Sequence, residues 1–230
     1  MESRGCIQSG CQPMEVLDSY NLRFEGTINP GASHLVHEKL RSFSHAFSYG
    51  KSHLLDSGLG EGGWALSWIL GGILDPDFGE ITRNDLNYAV EERRKDAWCV
   101  RHDRIKVRRF SFREPTVREQ IQYGLKTVSG QYLKSEQEVM ERFHLTAERY
   151  VRPLRQLSHE AWRASCAIGL VNGKRVFCFP YMDPGFIEDY YKIWLKEMLD
   201  LLTDSGALVL FPARAKKAAQ GLCDEIVPVG

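Results

Sequence analysis

No sign of charge prevails in this chain. Thirty Lys and Arg are cancelled by thirty Asp and Glu across 230 residues, so no global field draws it to nucleic acid or to an anionic membrane. It also lacks any run of ~18 apolar residues, which argues against a spanning helix. The opening segment, MESRGCIQSGCQP, has no apolar core and does not read as a secretory signal; an intracellular, cytoplasmic setting is expected. Cysteines are few and unpaired in spacing. Cys6 and Cys11 have no second pair at zinc distance, and His34, His37, His45 and His53 form too loose a pattern, so no metal site is expected. No internal repeat or low-complexity tract is present.

What is there suits one sizeable domain. Hydrophobic residues make up 43%, enough at this length to bury a core. Residues 1–15 read as a flexible leader. From 17 to 55, short broken patterns around Asn29-Pro30-Gly31 suit antiparallel strands and turns better than a helix, and His53-Leu54-Leu55 reads as the strand that leads into the next segment. Residues 65–74 read as a buried helix weakened, or allowed to pack closely, by Gly71-Gly72. Residues 82–96 read as a strand-and-turn excursion and 97–100 as a strand. The texture of 115–156 is helical and charged. A regular close follows: helix 158–170, strand 175–179, amphipathic helix 186–202, strand 207–211, helix 213–222 and strand 225–229. Strands alternating with helices predict an α/β fold with a mostly parallel sheet.

The strand at 53–55 runs into SGLGEGGWALSWILGGILDPDFGEI, residues 57–81. This keeps the frame of a phosphate-binding loop, G-x-x-x-x-G-K-[ST], without its chemistry. Ser57 stands at the first glycine, Gly63 at the Lys and Trp64 at the hydroxyl; Gly60 and Gly62 survive. Backbone amides at the start of the helix, through Ala65, still suit an anion, but Glu61 opposes one. Losing a Lys–phosphate contact costs about 2–3 kcal/mol.

The segment resembles the nucleotide-binding domain of the ABC transporter ATPases, whose loop helix runs into L-x-P-x-x-G-x-I; Leu74, Pro76, Gly79 and Ile81 stand at those offsets. Further landmarks recur in order. Trp98-Cys99-Val100 leads to His102, at the position of the family's Q-loop Gln. TVREQIQYGL, residues 116–125, resembles the entry to its helical subdomain. The signature motif falls on Leu157, Ser158, His159 and Glu160, with Ser158 a credible N-cap for the following helix. After the apolar run Val176-Phe177-Cys178-Phe179, Pro180 and Tyr181 replace the Walker B carboxylates. Upstream of Leu222-Cys223-Asp224, the switch histidine falls on Arg214.

The resemblance covers roughly residues 17–230 and implies a P-loop NTPase-like sheet with an N-terminal antiparallel β-subdomain and a helical subdomain inserted at about 115–157. It implies cytoplasmic work, peripheral to a membrane, in head-to-tail dimers with a copy of itself or another ABC-type ATPase subunit, or against a membrane transport subunit. Pro180 and Tyr181 cannot hold Mg²⁺ as carboxylates do, and Asp183 comes three residues late. The reading is therefore a pseudo-ATPase, with no catalytic residues, no metal and no cofactor expected. ATP binding without turnover through backbone amides, Arg214 and His102 stays open, as does an enzyme rewired around His102, Tyr181, Asp183 and Arg214. Residues 101–113 carry six basic side chains against Asp103. They read as a solvated face or a docking surface for an acidic partner.

Overall fold

Short apolar runs set the architecture. The protein, in a computed structural model, is described over residues 16–23, 38–40, 43–76, 78–84, 86–107, 113–130, 132–158, 160–188, 192–217 and 219–229. The expected leader lies outside these. Along the chain come β1 (Val16–Arg23), β2 (Phe43–Ser48), β3 (Ser52–Asp56), α1 (Gly63–Leu70), β4 (Phe78–Glu80), β5 (Thr82–Arg83) and β6 (Leu86–Asn87). Next are α2 (Val90–Asp96), β7 (Ala97–Cys99), α3 (Val117–Thr127), α4 (Glu136–Arg142), α5 (Ala147–Tyr150) and a 3₁₀ turn at Leu154–Gln156. The close is α6 (Ala161–Val171), β8 (Val176–Cys178), α7 (Pro184–Glu188), α8 (Lys192–Asp204), β9 (Leu208–Ala213) and β10 (Glu225–Pro228).

β10, β3, β9, β8 and β7 lie side by side in that order, every pairing parallel. β2, β1 and β4 make a separate antiparallel sheet. The strands β7, β8 and β9 are apolar throughout and fully buried because both faces are covered, whereas β3 and the edge strand β10 also carry polar residues such as His53 and Glu225. Successive residues alternate: Leu54, Phe177, Val209 and Phe211 face α6 and α8. Leu55, Val176, Cys178 and Leu210 face α1 and the antiparallel sheet. His53 is buried on β3, and burial pushes its imidazole down to about 4 against the opposing pull of Glu225.

Glycines decide two packing distances. A Cβ on Gly71 would stand 2.6 Å from Cys99 Sγ, so α1 approaches the sheet closely and stops at Leu70. On α6, a Cβ at Gly169 would come within 2.7–2.8 Å of the Trp98 and Phe177 rings. Gly169→Ala is expected to destabilise by about 1–3 kcal/mol, ring overlap outweighing the helix propensity gained. A thermal melt equal to or above wild type would refute this.

Several expected boundaries move. The helix expected at 65–74 runs Gly63–Leu70. Residues 82–96 hold the β5–β6 hairpin and then α2, anchored by Arg93, which donates to the Ile69 carbonyl at the end of α1 and to Asp75 Oδ1 at 2.9 Å. The single helix expected over 186–202 is two, α7 and α8, with 189–191 outside the described residues. The helix expected at 213–222 is not there: β9 runs on to Ala213, and turns fill 214–224 among the described residues. β9 and β10 flank β3, so this short crossover has no length for a ten-residue helix with its own connections.

The 115–157 stretch holds α3, α4, α5 and the 3₁₀ turn. Its two ends are drawn together where the Val117 N–H donates to the Arg152 carbonyl at 2.9 Å.

Candidate functional site

The turn from β3 into α1 is where the chemistry of this fold would sit. Gly60 (φ 90°) and Gly62 (φ 98°) adopt the left-handed region, and a Cβ on Gly62 would press on the Lys39 carbonyl oxygen at 2.6 Å. Gly62 caps α1 without a side chain of its own, leaving the first N–H groups of the helix seeking an acceptor.

A carboxylate from elsewhere supplies it. Glu38 is fully buried. Its Oε1 accepts from the Gly60 N–H at 2.6 Å, and its Oε2 from Gly62 at 3.1 Å, Trp64 at 3.2 Å and Ala65 at 3.3 Å. Lys39 fastens the same segment by donating its N–H to the Gly60 carbonyl at 3.2 Å. The amides that would cradle a phosphate thus hold an internal anion. Glu38 had no signal in the sequence analysis, because it lies 22–27 residues before the amides it meets and belongs to no spacing motif.

The other loop residues reinforce the change. A Cβ at Gly63, the cation position, would overlap Ser57 Oγ. Trp64 is half-buried and meets Trp68 edge-on at 5.8 Å; Trp68 in turn lies 5.5 Å from the His102 ring. Glu61 accepts from the Gly58 N–H at 2.5 Å and pairs with Arg214. The Gly58 N–H, and after it Arg214, holds the Glu61 carboxyl below the ordinary carboxylate range. Arg214 therefore closes onto the loop's own acid.

His102 is half-exposed, its Nδ1 3.1 Å from Asp103 Oδ1. It borders a cleft of about 390 Å³ that also touches Arg94, Trp98, Arg104 and Lys174. In the basic run, Arg104 pairs with Glu114 at 3.2 Å and Arg113 with Glu119 at 2.6 Å; residues 108–112 are outside the described set.

At the signature position Leu157 is buried and Ser158 exposed; His159 lies outside the described residues. Ser158 does not cap α6 as expected. The helix starts at Ala161 with Glu160 as its cap residue and no side-chain cap bond. Glu160 instead accepts from Thr146 N at 3.3 Å, from Thr146 Oγ1 at 3.2 Å and from Arg149 at 3.3 Å.

Pro180 and Tyr181 follow β8, where the Phe179 carbonyl accepts from Ser67 of α1 at 2.9 Å. Of the other predicted site residues, Asp183 accepts from the Gly185 N–H at 2.9 Å, His102 faces Asp103, and Arg214 pairs with Glu61.

No family model and no curated protein matches the sequence. Solved structures do match. An ATP-binding subunit of an ABC transporter superposes over 92% of this chain and 86% of its own, with TM-score 0.64 and 14% identity. cbiO1 from Clostridium perfringens, part of the ABC transporter complex cbiONQ, does so over 91% and 84%, with TM-score 0.61 and 16% identity. A dimeric bacterial ABC transporter cassette covers 91% and 94%, with TM-score 0.58 and 15% identity. The fold is that of the ABC transporter ATPases.

At these identities the likeness is one of fold. What matches is the mostly parallel sheet flanked by helices, with a separate antiparallel sheet beside it. Among the described residues, no helix is long and apolar enough to cross a membrane.

Proposed function

We propose that the chain is a catalytically inactive ABC-type ATPase subunit, a structural or regulatory partner of an active ATPase subunit or of a membrane transport component. One observation carries this: the Glu38 carboxylate takes the four loop amides that a nucleotide phosphate would need. A triphosphate would have to expel a buried, four-times hydrogen-bonded anion and then do without a lysine at Gly63. Mg²⁺ would find neither a hydroxyl at Trp64 nor a carboxylate at Pro180 or Tyr181. The protein would act at the cytoplasmic side of a membrane as a peripheral component, with the face around His102 and the basic run turned to its partner. Assembly would be a dimer, with another ABC-type ATPase subunit or with its own copy.

The pure chain should release phosphate from Mg²⁺-ATP no faster than buffer and should bind labelled ATP only above the millimolar range. Turnover above background that His102→Ala abolishes would replace this reading with a rewired enzyme. Saturable sub-millimolar ATP binding that leaves the Glu38 segment in place would replace it with a nucleotide-binding subunit.

A further inference from the structure

Away from the loop, three side chains with metal-binding atoms converge where the antiparallel sheet meets the edge of the parallel one. His45 comes from β2, His53 from β3 and Glu225 from β10. Glu225 is the register partner of His53 in the parallel pairing, so both side chains leave the sheet on one face. His45 Nε2 stands 3.3 Å from Glu225 Oε1, and His53 Nδ1 stands 3.2 Å from Glu225 Oε2. One ligand atom from each residue lies within 4.8 Å of the other two.

The two nitrogens are buried, and neither makes a hydrogen bond. Such an orphan ordinarily costs about 1–3 kcal/mol. The His53 side chain is 0% exposed, and its Nε2 faces the Ser48 carbonyl at 3.5 Å. A proton on Nε2 leaves the Nδ1 lone pair aimed at Glu225. A backbone carbonyl behind the far nitrogen is the usual support of a metal-bound imidazole. Phe47 fixes both rings edge-on, at 4.7 Å from His45 and 5.0 Å from His53.

The spacing fits a particular cation. With bonds of about 2.0–2.1 Å, the ligands of a tetrahedral zinc ion lie about 3.3 Å apart; each histidine nitrogen already stands at that distance from one Glu225 oxygen, His45 from Oε1 and His53 from Oε2, so whichever oxygen binds, one edge has that length. His45 and Glu225 are partly open, at 25% and 40%, so water can reach a fourth position. Two imidazoles and one carboxylate suit Zn²⁺ and are too nitrogen-rich for Mg²⁺ or Ca²⁺.

We propose that His45, His53 and Glu225 form a zinc site, completed by water, that staples the antiparallel sheet to the edge of the parallel sheet. It stands apart from the phosphate-loop position and does not depend on the function proposed above. Pairwise sequence spacing hides it: Glu225 lies far along the chain from both histidines and meets them only through the β10–β3 pairing. This is why the expectation of no metal, drawn from the sequence alone, is replaced here by a proposal.

The test uses the full chain, stripped with a chelator and titrated with Co²⁺, then Zn²⁺ in competition. One equivalent of Co²⁺ should give a four-coordinate visible spectrum without thiolate charge transfer, and Zn²⁺ should displace it. His45→Ala and Glu225→Gln, both at partly exposed side chains, should each weaken Zn²⁺ binding by ~100-fold or more, the loss of a direct ligand exceeding that of an outer-shell support. Zn²⁺ should raise the melting temperature of the wild type and leave both variants unmoved. Absence of stoichiometric binding, wild-type affinity in either variant, or a thiolate band pointing to the cysteines would overturn the proposal.

Discussion

Glu38→Ala should lower stability by about 3–5 kcal/mol and create an anion site where the wild type has none. The loss follows from four loop N–H groups left without their acceptor in a buried place, where removing one side of a charged network costs that much. In a domain of this size it should appear as a fall of roughly 6–20 °C in melting temperature. The same vacated amides should then bind inorganic phosphate or sulfate. Either anion should restore part of the melting temperature of the variant and leave the wild type unchanged. Glu38→Gln should fall between, since its amide keeps one acceptor but turns an NH₂ toward N–H donors. A Glu38→Ala protein as stable as wild type, with no response to anions, would remove the basis for calling the cradle plugged.

That carboxylate marks the limit of what the sequence discloses. The β3–loop–α1 unit was legible because an apolar strand, two glycines requiring left-handed backbone and an apolar helix are contiguous. The other buried strands were legible for a similar reason: Val176-Phe177-Cys178 and Leu208-Val209-Leu210 are continuous apolar runs, which covering both faces of a parallel sheet requires. The same local cues misled at 213–222, where alanines and lysines favour a helix. There the short crossover from β9 over β3 to β10 imposes turns and places Gly221 at φ 74°. Ser158 misled too, since Glu160 is drawn to Thr146 and Arg149 and α6 begins later. Glu38, the Arg214–Glu61 pair and the His45–His53–Glu225 triangle join residues from distant strands or loops. Their chemistry exists only after the sheet order has been set.

Restoring the lysine at the cation position should not by itself restore nucleotide binding. In Gly63→Lys the new Cβ collides with Ser57 Oγ, and both lie in a fully packed turn. The expected outcome is a loss of about 2–4 kcal/mol from overpacking and displacement of Ser57, with no saturable ATP binding. Ser57→Gly with Gly63→Lys should recover most of that stability, because the collision is removed, yet still bind no nucleotide while Glu38 occupies the amides. Adding Glu38→Ala brings cation and vacant amides together, and the triple variant should bind pyrophosphate or ATP at sub-millimolar concentration by calorimetry. It should still not hydrolyse ATP, since Pro180 and Tyr181 offer no carboxylate for metal or water. This order separates the obstacles physically: the clash governs folding, the plug governs binding, and the missing carboxylates govern turnover. If Gly63→Lys alone bound ATP tightly, Glu38 would have to leave the cradle at little cost, and its four hydrogen bonds would count for far less than their geometry implies.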